Sequence, residues 1–248
     1  MKAPLSFLAI FIIASSVLVP SLTFASECEF SESINQLNSL KDSASAREQL
    51  LQELSLRKKI LNNLSTCFIE ETTTKKQSLD AIAPANPEAK AYQRWLTNQF
   101  TETISFYEFR NTQIKDVGLQ GSKNLAKTLL DRRQTIDKPL FDRATQFSAW
   151  NTNQELFLIA NKRLLDITAT LEVFDLPAEH ELGLLLIEAK KSLTVAEDKN
   201  RQTWEALKLS LNSDNKILPL IKSSLEALAE SYNTFFEISE LSKKELPL

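Results

Sequence analysis

The sequence predicts an all-α protein: an elongated up-and-down bundle of about seven helices, several of them long and coiled-coil-like, preceded by a signal peptide. Only three of the 248 residues are glycine, so the chain lacks the residues on which tight hairpins and phosphate-binding loops depend. Apolar residues recur at steps of three and four over most of the chain, which is the period of one helix face. The N-terminus has the pattern of an export signal.

Residues 1–25 are predicted to form that signal. Lys2 gives a positive start, residues 5–19 are an apolar run, and Ala25 completes a small-residue cleavage site. The apolar run is shorter than the ~20 residues of a membrane-spanning helix, and Pro20 interrupts its extension. We therefore expect cleavage after Ala25, with an uncleaved membrane anchor as the alternative.

The mature chain is expected to start at Ser26 and to act outside the cytoplasm, as a secreted or periplasmic protein. A lipoprotein modified at Cys28 is a further alternative, although Glu27 occupies a position where a small residue is usual. Loss of Lys2 leaves 28 basic against 32 acidic side chains, and they are interleaved along the helices. Nucleic acid is therefore not expected as a partner. A protein or envelope component is expected instead, with no transmembrane span after cleavage.

Two cysteines remain after cleavage, and in an exported protein an isolated pair most simply forms a disulfide, Cys28–Cys67. A redox-active pair is the alternative, but such pairs usually have C-x-x-C spacing. The bond is expected to close a helical hairpin over residues 26–83 and to contribute about 4 kcal/mol on the chain-entropy model. Residues 84–248 are expected to form a long-helix bundle packed with the hairpin as one domain.

Caps and periodicity divide the mature chain into the seven predicted helices. They cover residues 31–40, 46–83, 87–118, 122–150, 152–174, 177–211 and 218–235. Asn86 is predicted as the N-cap of the third helix, and Pro139 is expected to bend the fourth.

The predicted helix over residues 152–174 has the most regular apolar stripe. Thr152 and Glu155 have the spacing of a capping box, which predicts a helix start. A second set of apolar residues widens the stripe, so this helix is expected to need neighbours on several sides. The stripe consists of Leu156, Ala160, Leu164, Ile167, Leu171 and Phe174, and the second set of Phe157, Leu158, Ile159 and Leu165.

The composition argues against an enzyme and against a cofactor or metal. The only methionine, Met1, is lost with the signal, and His180 is the only histidine, so haem ligation and a Glu-x-x-His di-metal site lack their ligands. No G-x-S-x-G motif or phosphate-binding glycine loop is present. His180 is interpreted as a solvated residue in an acidic helix start, and a pH-sensitive contact is the alternative.

Three polar residues interrupt apolar stripes: Arg132 and Arg133 in the fourth predicted helix, and Asn111 in the third. They could line a small site for an anionic ligand, but a polar layer that fixes helix register is the preferred interpretation. Near them in sequence, the aromatic residues Trp95, Phe106 and Phe109 are expected to fill core, with a ligand pocket or partner surface as the alternative.

These observations favour an exported, non-enzymatic helical protein that acts as a protein-interaction module or a structural component of the cell envelope. The alternative is an extracytoplasmic small-molecule binding or sensing bundle, with a pocket between the third and fourth helices near Arg132. An oligomer is possible under the first hypothesis, since an apolar seam can be completed by a second chain.

Overall fold

A computed structural model describes residues 31–39, 46–174, 177, 179–209 and 216–245, and over these residues the fold is all-helical, without strands. The predicted signal peptide lies outside the described residues, as does Cys28. The α-helices are α1 (Ser31–Ser39), α2 (Ala46–Asp80), α3 (Pro87–Gln113), α4 (Leu119–Arg132), α5 (Lys138–Val173), α6 (Glu181–Lys208) and α7 (Ile217–Glu245). A 3₁₀ turn, Ile114–Asp116, follows α3, and a π-helical turn, Arg133–Asp137, joins α4 to α5.

The predicted count of seven helices is not confirmed. Because α4, the π-helical turn and α5 follow one another without a gap, the described ranges contain six continuous helical stretches. The predicted break between Trp150 and Thr152 is wrong. The Thr152 hydroxyl donates to the Ser148 carbonyl at 3.0 Å, so it bonds back within the helix instead of capping a new one.

The π-helical turn Arg133–Asp137 lies just before Pro139, where the sequence predicts a bend. This proline lies in the first turn of α5, directly after the π-helical turn. Proline has no N–H to donate to the carbonyl four residues earlier. A turn with wider hydrogen-bond spacing accommodates that missing donor without ending the helix.

The start of α3 confirms the predicted cap. The Asn86 side chain accepts a hydrogen bond from the Ala89 backbone N–H at 2.8 Å, and Pro87 occupies the first helical position. The sixth predicted helix starts later than expected, at Glu181 and not near Pro177. Its N-cap is His180, whose Nδ1 accepts from the Leu182 N–H at 3.3 Å.

The described helices form two compact units. The first comprises the described residues up to Lys76 together with Phe100–Arg132, and the second comprises Gln77–Gln99 and the described residues from Arg133 onward. The predicted hairpin over residues 26–83 and its packing as one domain with the remainder stay predictions.

In the first unit, α2 runs antiparallel to α3. The Ser65 hydroxyl donates to the Tyr107 carbonyl at 3.1 Å, and Lys58 Nζ donates to the Lys115 carbonyl at 2.6 Å. Apolar side chains from α2, α3, the 3₁₀ turn and α4 fill the core between them. These are Leu61, Leu64, Phe68, Tyr107, Ile114, Leu125 and Leu129.

In the second unit, α5, α6 and α7 pack as an antiparallel three-helix arrangement. The Ser224 and Ser231 hydroxyls of α7 donate to the Ala196 and Ala189 carbonyls of α6 at 2.9 and 3.0 Å, which fixes the register of the two helices. The core contains Phe157, Ala160, Ala189, Leu193, Ala196, Ala227, Leu228 and Phe235. No helix within the described ranges has an apolar stretch long enough to cross a membrane.

Candidate functional site

The two arginines singled out in the sequence contact different aromatic rings. Arg132 ends α4, and its guanidinium lies 4.2 Å from the centre of the Phe106 ring while Nη2 donates to the Thr103 hydroxyl at 3.2 Å. Arg133 begins the π-helical turn and lies 4.6 Å from the centre of the Phe141 ring. Both contacts have cation–π geometry, in which the ring face stabilises the positive charge.

Asn111 is half-buried on α3, between the buried residues Tyr107 and Ile114 of the same stripe. Its Oδ1 is buried and accepts no hydrogen bond from the described residues. Asn111 does not line the groove described below.

Trp95, Phe106 and Phe109 lie in different environments, and the expectation that they fill core is wrong for two of them. Phe106 is half-buried against Tyr107, whereas Phe109 is 58% exposed and Trp95 is 41% exposed. Trp95 belongs to the second unit, where its ring contacts that of Tyr92.

Arg110, near the end of α3, was not predicted from the sequence to be a site residue. Its guanidinium lies 5.3 Å from the centre of the Phe106 ring and 5.6 Å from that of Phe109. Nη1 donates to Gln113 Oε1 at 2.9 Å. The spacing F-x-x-F-R-x-x-Q, which places all four side chains on neighbouring turns of one helix, is the signal that could have revealed this arrangement.

Arg110 also lines an open groove of about 460 Å³ within the first unit, between the end of α3 and α4. Gln113, Asp116 and Val117 continue its wall from α3 through the 3₁₀ turn. Gly121 forms part of the α4 side, where a Cβ would lie 3.2 Å from Val117 Cβ. Leu125, Asn124 and Thr128 complete the lining. The groove therefore combines one cation, one acid, neutral polar groups and an apolar floor.

Two of the three tryptophans of the chain pack against each other in the second unit. Trp150 and Trp204 stack with ring centres 4.2 Å apart and planes inclined by 18°. The Trp204 indole N–H donates to a Glu88 carboxylate oxygen at 3.1 Å, and the Trp150 indole N–H donates to the Asn200 carbonyl at 3.3 Å. Since both indole N–H groups are satisfied, this cluster is structural packing.

Two further buried polar residues were not predicted from the sequence. Arg143 is fully buried, and its Nη1 donates to the Ala206 and Leu207 carbonyls at the end of α6, at 3.0 and 2.7 Å. Asn151 holds the connection between α2 and α3: its amide donates to the Ala83 carbonyl at 2.8 Å, and its Oδ1 accepts from the Ala85 N–H at 2.9 Å. Each side chain fixes backbone far away in sequence.

His180 is more than the solvated residue expected. Besides capping α6 through Nδ1, it places Nε2 3.5 Å from a carboxylate oxygen of Glu245 at the end of α7. The ring is half-buried.

Large apolar side chains remain exposed on α5 and α6. Leu158 and Leu165 of α5 are 73% and 69% exposed, and Leu184 and Ile187 of α6 are 55% and 63% exposed. Each pair has helical spacing, seven residues in α5 and three in α6, so the two members of a pair share a helix face. Of the second apolar set on α5, Phe157 is buried in the core, whereas Leu158 and Leu165 are exposed.

No protein-family model, curated protein or solved structure matches this chain. Within the described ranges, no three His, Cys, Asp or Glu side chains lie close enough together to hold a metal ion.

Proposed function

We propose that this chain is an exported, non-enzymatic helical protein that acts as a protein-interaction module or as a structural component of a cell envelope. The composition of residues 1–25 supports export, and the proposed Cys28–Cys67 disulfide suits an oxidising compartment. A partner protein or a second copy would cover helix faces of the second unit.

The observation that carries the proposal is the exposure of paired apolar side chains on α5 and α6. Single exposed apolar residues are ordinary on protein surfaces. Pairs on one helix face are different, because a partner helix that contacts one member also contacts the other, as in coiled-coil and helix-in-groove recognition. Leu158 and Leu165 form the most exposed such pair.

The proposal is tested by placing a photo-crosslinking amino acid in the full-length chain in its native host. At Leu158 or Leu165 it is expected to give a discrete crosslinked product. At Thr152 and Thr170, two exposed positions on another face of the same helix, it is expected to give none. A product of twice the chain mass identifies a second copy, and any other discrete mass identifies a partner.

Light scattering on the purified chain gives a second readout. If the second copy is the partner, Leu158→Lys with Leu165→Lys abolishes the dimer, while lysines at Thr152 and Thr170 leave it intact. Equal crosslinking at all four positions, or none at any, would show that this face contacts no specific protein.

A further inference from the structure

We propose that the groove at the end of α3 binds a small zwitterion, in which a carboxylate and an ammonium group lie close together, as in a free amino acid. This site is separate from the apolar faces of α5 and α6 on which the proposed protein interaction rests.

The carboxylate would be bound by Arg110. Its guanidinium lies against Phe106 and Phe109 and is held by one hydrogen bond to Gln113. It forms no ion pair within the described part of the chain. A planar fork held in this way loses little conformational entropy on binding, and it matches the two oxygens of a carboxylate.

The ammonium would be bound by Asp116, whose side chain is exposed in the 3₁₀ turn and lines the same groove. Within the described residues, its carboxylate forms no hydrogen bond or ion pair, and in particular none with Arg110. Two opposite charges therefore line one groove without forming an ion pair with each other. A ligand that carries both signs would satisfy both side chains, whereas a multiply charged anion such as phosphate would be repelled by Asp116.

The remaining lining offers apolar contact to the side chain of the ligand. Val117 and Leu125 supply an apolar surface, and the absence of a Cβ at Gly121 lets Val117 pack closely against α4. The groove is open, and its volume of about 460 Å³ leaves room for an amino acid with an aliphatic side chain.

The first experiment records amide NMR spectra of the full mature chain while each free L-amino acid is added. The chain has only three glycines, so their amide signals are readily assigned. Binding in the groove is expected to shift the Gly121 signal and to leave Gly183, which lies on α6, unchanged. No shift of Gly121 up to about 10 mM, or a shift of Gly183 alone, would overturn the proposal.

The second experiment separates the two charges of the ligand. The amino acid that binds best is compared by calorimetry with its analogue lacking the amino group, its analogue lacking the carboxylate, and inorganic phosphate. Each single-charge analogue is expected to bind about 10- to 100-fold more weakly, the loss that corresponds to one charge-assisted hydrogen bond. If the carboxylate-only analogue or phosphate binds equally well, the groove is a simple anion site and the zwitterion proposal is wrong.

Variants then assign the charges to residues. Arg110→Gln and Asp116→Asn are each expected to weaken binding about 10- to 100-fold, whereas Arg94→Gln, at an exposed position of the same helix outside the groove, leaves it unchanged. Because Arg110 also packs on two rings, thermal unfolding checks that its variant is folded. Asp116 is exposed and keeps the test independent of folding, so an unchanged affinity in Asp116→Asn would refute recognition of the ammonium.

Discussion

Replacement of Arg143 by methionine is expected to destabilise the protein by about 3 kcal/mol. Nη1 of this fully buried residue donates to two carbonyls in the last turn of α6, Ala206 at 3.0 Å and Leu207 at 2.7 Å. A hydrogen bond from a charged donor contributes about 1.5 to 3 kcal/mol, and a cation at a helix C-terminus adds about 0.3 to 1 kcal/mol. The desolvation cost of burying the guanidinium offsets part of this sum.

The loss is also limited because the two carbonyls keep other donors. The Leu207 carbonyl still accepts from the Tyr92 hydroxyl at 2.7 Å, and the Ala206 carbonyl from the Leu209 N–H at 3.3 Å. Methionine fills much of the volume of the arginine stem, so the cavity contribution is expected to be small. Arg143→Lys keeps the charge but loses the planar fork, and an intermediate loss is expected.

Urea unfolding, followed by circular dichroism and tryptophan fluorescence, measures the free energy of unfolding of each variant. The matched control is Lys162→Met, at an exposed position of the same helix, which is expected to change stability by less than about 0.5 kcal/mol. If the stability of Arg143→Met lies within about 1 kcal/mol of the wild type, desolvation cancels the hydrogen bonds and the expected loss is refuted.

Three further predictions concern Tyr232, the cap of α3 and the covalent state of the exported chain. Burial raises the pKa of the Tyr232 hydroxyl above its ordinary 10.0. The stability that the protonated hydroxyl contributes is therefore complete below about pH 10 and is lost as pH rises through the folded-state pKa. Between about pH 8 and pH 11, Tyr232→Phe should lose less stability than the wild type, and equal shifts of the urea midpoint would contradict this. Asn86→Ala removes the cap of α3 and should cost about 1 kcal/mol in the same assay, whereas no change would mean that the cap is dispensable. Intact-mass analysis of the exported protein should give a chain that starts at Ser26, and a longer chain would refute the proposed cleavage. The mass should increase by two hydrogens on reduction, and an unchanged mass would refute the Cys28–Cys67 bond.

Much of α3 could be predicted from sequence. Leu96, Phe100 and Tyr107 have the spacing of one helix face, and all three are fully buried. The start of the helix at Asn86 and Pro87 was also predicted. These features depend on residues within one or two turns of each other, so the local pattern contains the information that decides them.

The error at Thr152 has a different origin. A Thr-x-x-Glu pattern caps a helix only if the preceding residues leave the helical conformation. Here Trp150 and Asn151 remain helical because they are held by the packing of the second unit: Trp150 stacks on Trp204, and the Asn151 amide bridges Ala83 and Ala85. Those partners lie more than fifty residues away, and no local pattern indicates them.

The candidate groove likewise combines features that a local sequence pattern predicts with features that depend on residues distant in sequence. Arg132 and Asn111 were noticed because they interrupt apolar stripes, whereas Arg110 follows Phe109 at the polar edge of α3 and was missed. What makes Arg110 notable is the pair of rings against its guanidinium and the groove that α4 forms beside it. Whether an arginine is solvated or held against other groups depends on its neighbours in space.

The sequence by itself determined the all-helical class, the apolar stripes and the Asn86 cap, because composition, periodicity and capping act over a few residues. Only the tertiary structure decided that the helix continues through Thr152, that Arg143 binds the end of α6, and that Arg110 and Asp116 line one groove without pairing. Those outcomes depend on which helices meet and in what register. Register is set by the summed packing of many side chains far apart in sequence, which no single segment of the chain specifies.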